Sequence, residues 1–300
     1  MFVHWAGEGS DVIICLAKNT QPVPKGHPPH PSSVFISYDY GSSFVDKTEN
    51  FKLDNSTYAA LDKFYNHPRQ KRHMVFRDKF HKMLFVTKDF GKTVVKVKLA
   101  FEPADILYYP DDPLMFLTYD SNKTLWITRD FGQSFSLVQE MVKLYFWAKK
   151  WPGMWENDTG RALLVQREEP NATTIIALSN IYTTDQSNVS VVFKGADQFN
   201  LVGDFMFATK RLSKDYHELY ISYQGGQFLK ARFDSEFECG GFHVADASET
   251  RLLVAVAHTE TLSNLYVSEV THTNQYMFRL SLERLFCYFP NSMWKGSWLR

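Results

Sequence analysis

Three aspartates stand two residues after a hydroxyl and two before a glycine: Ser37-x-Asp39-x-Gly41, Thr87-x-Asp89-x-Gly91 and Thr128-x-Asp130-x-Gly132. A carboxylate beside a hydroxyl can do acid/base or nucleophilic work when it faces a cleft. It can also close on itself. In a tight turn, Asp and Ser/Thr side chains bond to backbone groups that the reversal leaves unpaired, while glycine supplies φ > 0. Phe44 and Phe135 follow the first and third glycines, with Val94 in that place after the second, and each can fold apolar surface over its turn. The fullest copy, Leu125 to Phe135 (LWITRDFGQSF), reads as strand, turn and strand. Such a hairpin needs no ligand.

Turns of this Asp-box kind also occur in sialidases and other glycoside hydrolases, so a sialidase-type hydrolase is the alternative reading. That chemistry uses a Tyr nucleophile and several arginines that grip a substrate carboxylate. The Arg-Ile-Pro signature that usually supplies one of them is absent. Asp111 with Asp112 and Glu168 with Glu169 are adjacent along the chain, which does not make an acid/base pair. There is no Gly-rich phosphate loop, G-x-S-x-G elbow or H-E-x-x-H. His27 and His30 share a proline-rich loop that holds no Cys, Asp or Glu, a weak start for a metal site. The sequence therefore points away from an enzyme and calls for no cofactor and no metal.

The elements that carry the boxes recur. The box aspartates are 50 and then 41 residues apart, a period that suits propeller blades of four short strands. Fainter copies lie downstream. Leu219 to Phe228 keeps the lead-in, Ser222 and glycine, with Gln224 in place of the aspartate; Asn264 to Glu269 and Ile176 to Ile181 keep little beyond the lead-in and a serine. The expected fold is all-β, a β-propeller of about six four-stranded blades over 1–55, 56–100, 101–140, 141–195, 196–238 and an incomplete 239–300. No closing strand is evident at either end, so a partial propeller is expected. Twenty-five Phe, fifteen Tyr and seven Trp suit pleated, half-buried surfaces. Met1 to Ala17 reads as a loop and then a strand. In the fourth unit Leu144, Phe146 and Ala148 alternate as a half-buried strand does, and Trp147, Trp151 and Trp155 crowd nearby.

Thirty-three basic and thirty-three acidic residues cancel, which argues against a nucleic-acid partner held through its phosphates. Arg69, Lys71, Arg72, His73, Arg77 and Lys79 form a basic cluster, read as a solvated loop. No apolar run is long enough to span a bilayer, and the first residues lack the basic and apolar regions of a signal peptide. Cys15, Cys239 and Cys287 cannot complete a paired disulfide set, and Cys15 lies in an apolar strand where a buried thiol is expected. Glycosylation acceptors stand at Asn55, Asn122, Asn157, Asn171 and Asn188, more than thirteen asparagines would meet by chance, and they suggest the secretory pathway.

Several stretches resemble the sortilin family, whose propeller is of the vacuolar-protein-sorting-ten type. They are HWAGEGSDVIICLAKN (His4 to Asn19), VFISYDYGSSF (Val34 to Phe44), FMFATKRL (Phe205 to Leu212), HVADASE (His243 to Glu249), NLYVSEV (Asn264 to Val270) and RLSLERL (Arg279 to Leu285). The resemblance implies a ten-bladed propeller, of which this chain would supply about the first six blades. It implies a single-span receptor that binds propeptides, growth factors or other polypeptides and moves between Golgi, endosome and cell surface. The binding domain would then face the lumen or the outside of the cell, and membrane attachment would come only through a span absent from this stretch. In that family an arginine of the sixth blade grips a peptide's terminal carboxylate, and Arg284 lies in a similar segment; a strand-end ion pair is the other reading of Arg284.

Overall fold

The computed structural model describes residues 1–19, 21–24, 26–54, 56–149, 151, 161–170, 172–178, 189–213, 216–248, 250–259, 261–269 and 275–285. They are all-β, built from antiparallel four-stranded sheets of the propeller-blade kind. The chain divides into two units, Met1–Met141 and Val142–Arg300. No helix among the described residues is long and apolar enough to cross a membrane.

The first unit holds three sheets. Strands β1 (Phe2–Trp5), β2 (Ile13–Lys18), β3 (Ser32–Ser37) and β4 (Val45–Asp46) form the first in sequence order. Residues expected to be a loop thus begin with a strand, paired Phe2↔Leu16 to Trp5↔Ile13. The second is β5 (Lys63–Asn66), β6 (Met74–Asp78), β7 (Met83–Thr87) and β8 (Val95–Lys98). The third is β9 (Pro103–Tyr108), β10 (Phe116–Asp120), β11 (Leu125–Thr128) and β12 (Ser136–Gln139).

The second sheet is half-buried only at its outer strands, since every residue of β6 and β7 is buried. The reason is face-to-face stacking. Met74, Phe76 and Phe85 pack with Val34 and Ile36 of the first sheet, while Val75, Leu84 and Val86 pack with Ile106, Phe116 and Phe131 of the third. Successive side chains on a strand point to opposite faces, so a strand between two sheets must be apolar on both. That is why MVF and MLFV run unbroken.

In the second unit β13 (Val142–Lys149), β14 (Arg161–Glu169), β15 (Ala172–Leu178) and β16 (Val189–Lys194) make one sheet. Along β13 the buried residues are Val142, Tyr145 and Ala148. Leu144 and Phe146 are half-buried, and Phe146 packs with buried Ala148 on one core, while the register slips ahead of them between Val142 and Leu144. The remaining strands are β17 (Gln198–Val202), β18 (Phe205–Arg211), β19 (His217–Tyr223), β20 (Leu229–Phe233), β21 (Gly241–Ala247), β22 (Arg251–Ala257), β23 (Ser263–Glu269) and β24 (Tyr276–Leu285). Two four-stranded sets join here through β20 and the start of β24, which run parallel at Ala231↔Tyr276 to Phe233↔Phe278. The Phe233 and Phe278 rings stack across that seam, centroids 4.7 Å apart.

Candidate functional site

The three boxes share one hydrogen-bond pattern. In the third, the Thr128 hydroxyl donates to Asp130 Oδ1 at 2.8 Å and accepts the Gly132 N–H at 2.8 Å. Asp130 then accepts the Ser134 N–H at 2.9 Å and the Ser134 hydroxyl at 2.5 Å. Asp89 repeats these bonds with Thr87, Gly91 and Thr93, and Asp39 with Ser37, Gly41 and Ser43. The second hydroxyl, at Ser43, Thr93 and Ser134, belongs to the motif although the hydroxyl–Asp–Gly spacing leaves it out; its signal is a Ser or Thr four residues after every box aspartate.

Both oxygens of each carboxylate are thereby engaged. Hydrogen bonds from the Ser43 side chain and backbone and from Ser37 hold Asp39 down to about 2. At Asp89 and Asp130 burial is the largest influence and raises the pKa. Bonds from Thr93 and Thr87, and from Ser134 and Thr128, outweigh it and leave both carboxyls below their ordinary value. A carboxylate so held is a poor proton carrier near neutral pH. The three occupy separate hairpins, β3–β4, β7–β8 and β11–β12.

The residue between aspartate and glycine also has positive φ: 58° at Tyr40, 58° at Phe90 and 61° at Phe131. Two of these residues connect box to box. The Tyr38 hydroxyl donates to the Phe90 carbonyl at 3.1 Å, and the Lys88 ammonium lies 5.3 Å from the Phe131 ring centroid. The box apolar residues differ: Phe135 meets Phe101 and Phe116 edge-on, Val94 packs on the first core, and Phe44 is 45% exposed. Without an aspartate the copy at Ser222 forms a shorter turn. There Gln224 and Gly225 carry positive φ, the Gly226 N–H bonds to the Tyr223 carbonyl at 2.9 Å, and the Ser222 hydroxyl donates to the Gly226 carbonyl at 2.6 Å.

The basic cluster is not one solvated patch. Arg77 is buried at 7% exposure, its Nε donating to Asp62 Oδ1 at 3.0 Å, its Nη2 pairing with the other Asp62 oxygen, and its Nη1 reaching Tyr65 and the Ala104 carbonyl. Arg69 pairs with Asp111 at 2.7 Å and Lys79 with Glu102 at 3.1 Å. Arg69 and Lys79 are committed to residues flanking the next sheet, and Arg77 to Asp62 beside its own sheet and to Ala104 of the next, rather than to a common substrate position.

Arg284 lies exposed near the end of β24 with φ 53°, its N–H donating to Asn264 Oδ1 at 2.9 Å. The β23–β24 register shifts on either side of Leu265, which leaves Arg284 on a bulge. Of the glycosylation acceptors, Asn122 is exposed in the β10–β11 turn; Asn55, Asn157, Asn171 and Asn188 lie outside the described residues, as do Trp155, Ser179 and Cys287. Trp151 is buried, as is Cys15, and burial pushes the Cys15 thiol up and that of Cys239 to about 11.

A cleft of about 520 Å³ opens between β16 and the sheet of β18 and β19, lined by Val191, Phe193, Lys210, Tyr220 and Phe228 and by Gly225 and Gly226 of the short turn. The Phe193 ring centroid is 4.7 Å from that of Phe228 and 5.3 Å from that of Tyr220.

Comparison with known proteins gives a consistent set. A family model described as sortilin, neurotensin receptor 3, matches residues 32–289. The sortilin-related receptor of Homo sapiens is 32% identical over 301 residues, covering 97% of this chain and 13% of the receptor. The VPS10 domain-containing receptor SorCS1 of Mus musculus is 23% identical over 296 residues, covering 94% of this chain and 24% of that receptor. Among solved structures, dihydro-heme d1 dehydrogenase NirN superposes with a TM-score of 0.50 at 12% identity, over 84% of this chain and 53% of the other. That last likeness concerns the fold alone.

Proposed function

The chain belongs to the sortilin family, and on that basis we propose that it is a polypeptide-binding portion of a sorting and endocytic receptor. It spans 13% of the length of the sortilin-related receptors that it matches, and the ligands and trafficking of the whole receptor are part of the proposal. The ligands are propeptides, growth factors or similar polypeptides, carried between Golgi, endosome and cell surface. The chain stands on the luminal or extracellular side, held to the membrane through a span outside this stretch.

The observation that carries this reading is the engagement of Asp39, Asp89 and Asp130 inside their own turns. The recurring residues with the most reactive composition are scaffold, and recognition falls to blade edges and loops. A second observation disfavours a sialidase-type hydrolase, which needs several arginines converging on one substrate carboxylate: Arg77 and Arg69 are bound to Asp62 and Asp111.

A direct test immobilises the chain, secreted from a eukaryotic host, and passes a panel of propeptides and small growth factors over it. Saturable binding to at least one polypeptide, with no release of fluorophore from a fluorogenic sialoside, is expected. Turnover of the sialoside together with no saturable binding to any polypeptide would overturn the reading.

A further inference from the structure

We propose that the cleft between β16 and the β18–β19 face takes an acidic residue of an extended polypeptide, with its carboxylate on Lys210. This deepens the polypeptide-receptor reading and rests on it.

The key is that Lys210 has to share its expected partner. It stands directly across from Glu218 in the β18–β19 register, where an opposite-charge pair would ordinarily form. Glu218 is already engaged, one oxygen by Lys230 and the other by the Tyr220 hydroxyl at 2.8 Å. The Lys210 ammonium lies over two rings, 4.9 Å from the Phe193 centroid and 5.2 Å from that of Tyr220, and acts on Glu218 only through its charge, without a direct contact pair among the described residues. An ammonium half-buried against aromatic faces gives up part of its hydration, so an incoming carboxylate gains more there than on an open surface. Two ammoniums, those of Lys210 and Lys230, thus act on the one carboxylate of Glu218.

The remaining surface selects a chain rather than a small anion. Val189 and Val191 are exposed at 37% and 54% on β16, the last strand of its sheet, and continue the apolar floor away from the charge. The register shift opposite Ile175 and Ile176 places both Val192 and Phe193 on the cleft. Gly225 and Gly226 form the far wall without side chains, which lets a backbone approach closely. An extended segment with apolar residues beside a central carboxylate would cover this track, its alternate side chains entering the cleft.

The test uses the full 300-residue chain and pools of terminally blocked hexapeptides carrying a fixed Glu among randomised apolar residues, with matched pools carrying Gln. Fluorescence anisotropy should show the Glu pool binding about tenfold more tightly than the Gln pool. Lys210→Met keeps the aliphatic stem on the rings and should erase that preference, while Lys210→Arg should restore most of it. Equal binding of the two pools, or a preference that survives Lys210→Met, overturns the proposal. If propeptides still bind the Lys210→Met chain as before, the cleft assignment falls and the receptor reading stands. If neither pool nor any propeptide binds, both fall.

Discussion

Gly91 of the second Asp-box turn lies so close to Ile36 of the preceding sheet that a Cβ built on it would stand 2.6 Å from the Ile36 δ-methyl. The equivalent distance at Gly41 is 3.3 Å, to Ile13, and at Gly132 the nearest atoms are 3.6 Å away. All three glycines have positive φ, at 89°, 79° and 93° in chain order. Backbone strain on substitution is therefore common to them, and packing is what separates them.

Gly91→Ala should destabilise more than Gly132→Ala, by about 1 kcal/mol beyond the shared left-handed strain. Ile36 is fully buried, so its δ-methyl can yield only by disturbing the core. Ile36→Val removes that methyl. Urea unfolding of the double variant should show a cost about 1 kcal/mol smaller than the two single costs added together; strict additivity would mean that the contact does not matter.

Asp130→Ala removes the acceptor for the Ser134 N–H and for two hydroxyls, and should cost about 1–3 kcal/mol. The box carboxyls lie below their unfolded values, so their contribution is fully present above about pH 4. It is lost as acid takes the folded carboxyls, toward about 2 for Asp39. Acid unfolding curves of the parent and of Asp130→Ala should converge on approaching that range. Parallel curves down to the acid limit would contradict it.

At alkaline pH the tyrosines act with the opposite sign. Burial, and then the Asp89 charge, pushes Tyr38 up to about 12, and burial comes first in bringing Tyr220 and Tyr276 to about 12 as well. An unfolded tyrosine ionises near 10. Stability from these groups is full below about pH 10 and declines as pH rises toward 12, because the unfolded chain releases protons that the folded chain keeps. The urea midpoint should fall between pH 9 and 11, and the triple variant Tyr38→Phe, Tyr220→Phe, Tyr276→Phe should fall less. An equal fall in both proteins would show that other groups set the alkaline limit.

Arg284 carries backbone strain that only glycine escapes without cost. Arg284→Gly should leave thermal stability equal or slightly raised, whereas Asn264→Ala, which removes the acceptor of the Arg284 N–H, should lower it by about 1 kcal/mol. If Arg284 also grips a peptide carboxylate, Arg284→Gly will lose affinity for free-acid peptides and not for their amides. Unchanged affinity for both would remove it from the binding surface.

Asp-box hairpins were legible in the sequence because every bond that defines them joins residues at most four apart, as Thr128, Asp130, Gly132 and Ser134 do. The strand-turn-strand rhythm and the sortilin resemblance came from the same short-range strings. Only the tertiary structure decided that β6 and β7 are buried on both faces, that Arg77 is buried against Asp62, and that β20 and β24 run side by side. It alone set Lys210 among Phe193 and Tyr220 with Glu218 already engaged. These arrangements depend on which sheet faces which, over tens of residues of chain. Local spacing carries no record of that choice, because a lysine or an arginine on a strand has the same neighbours in sequence whether a second sheet covers it or water does.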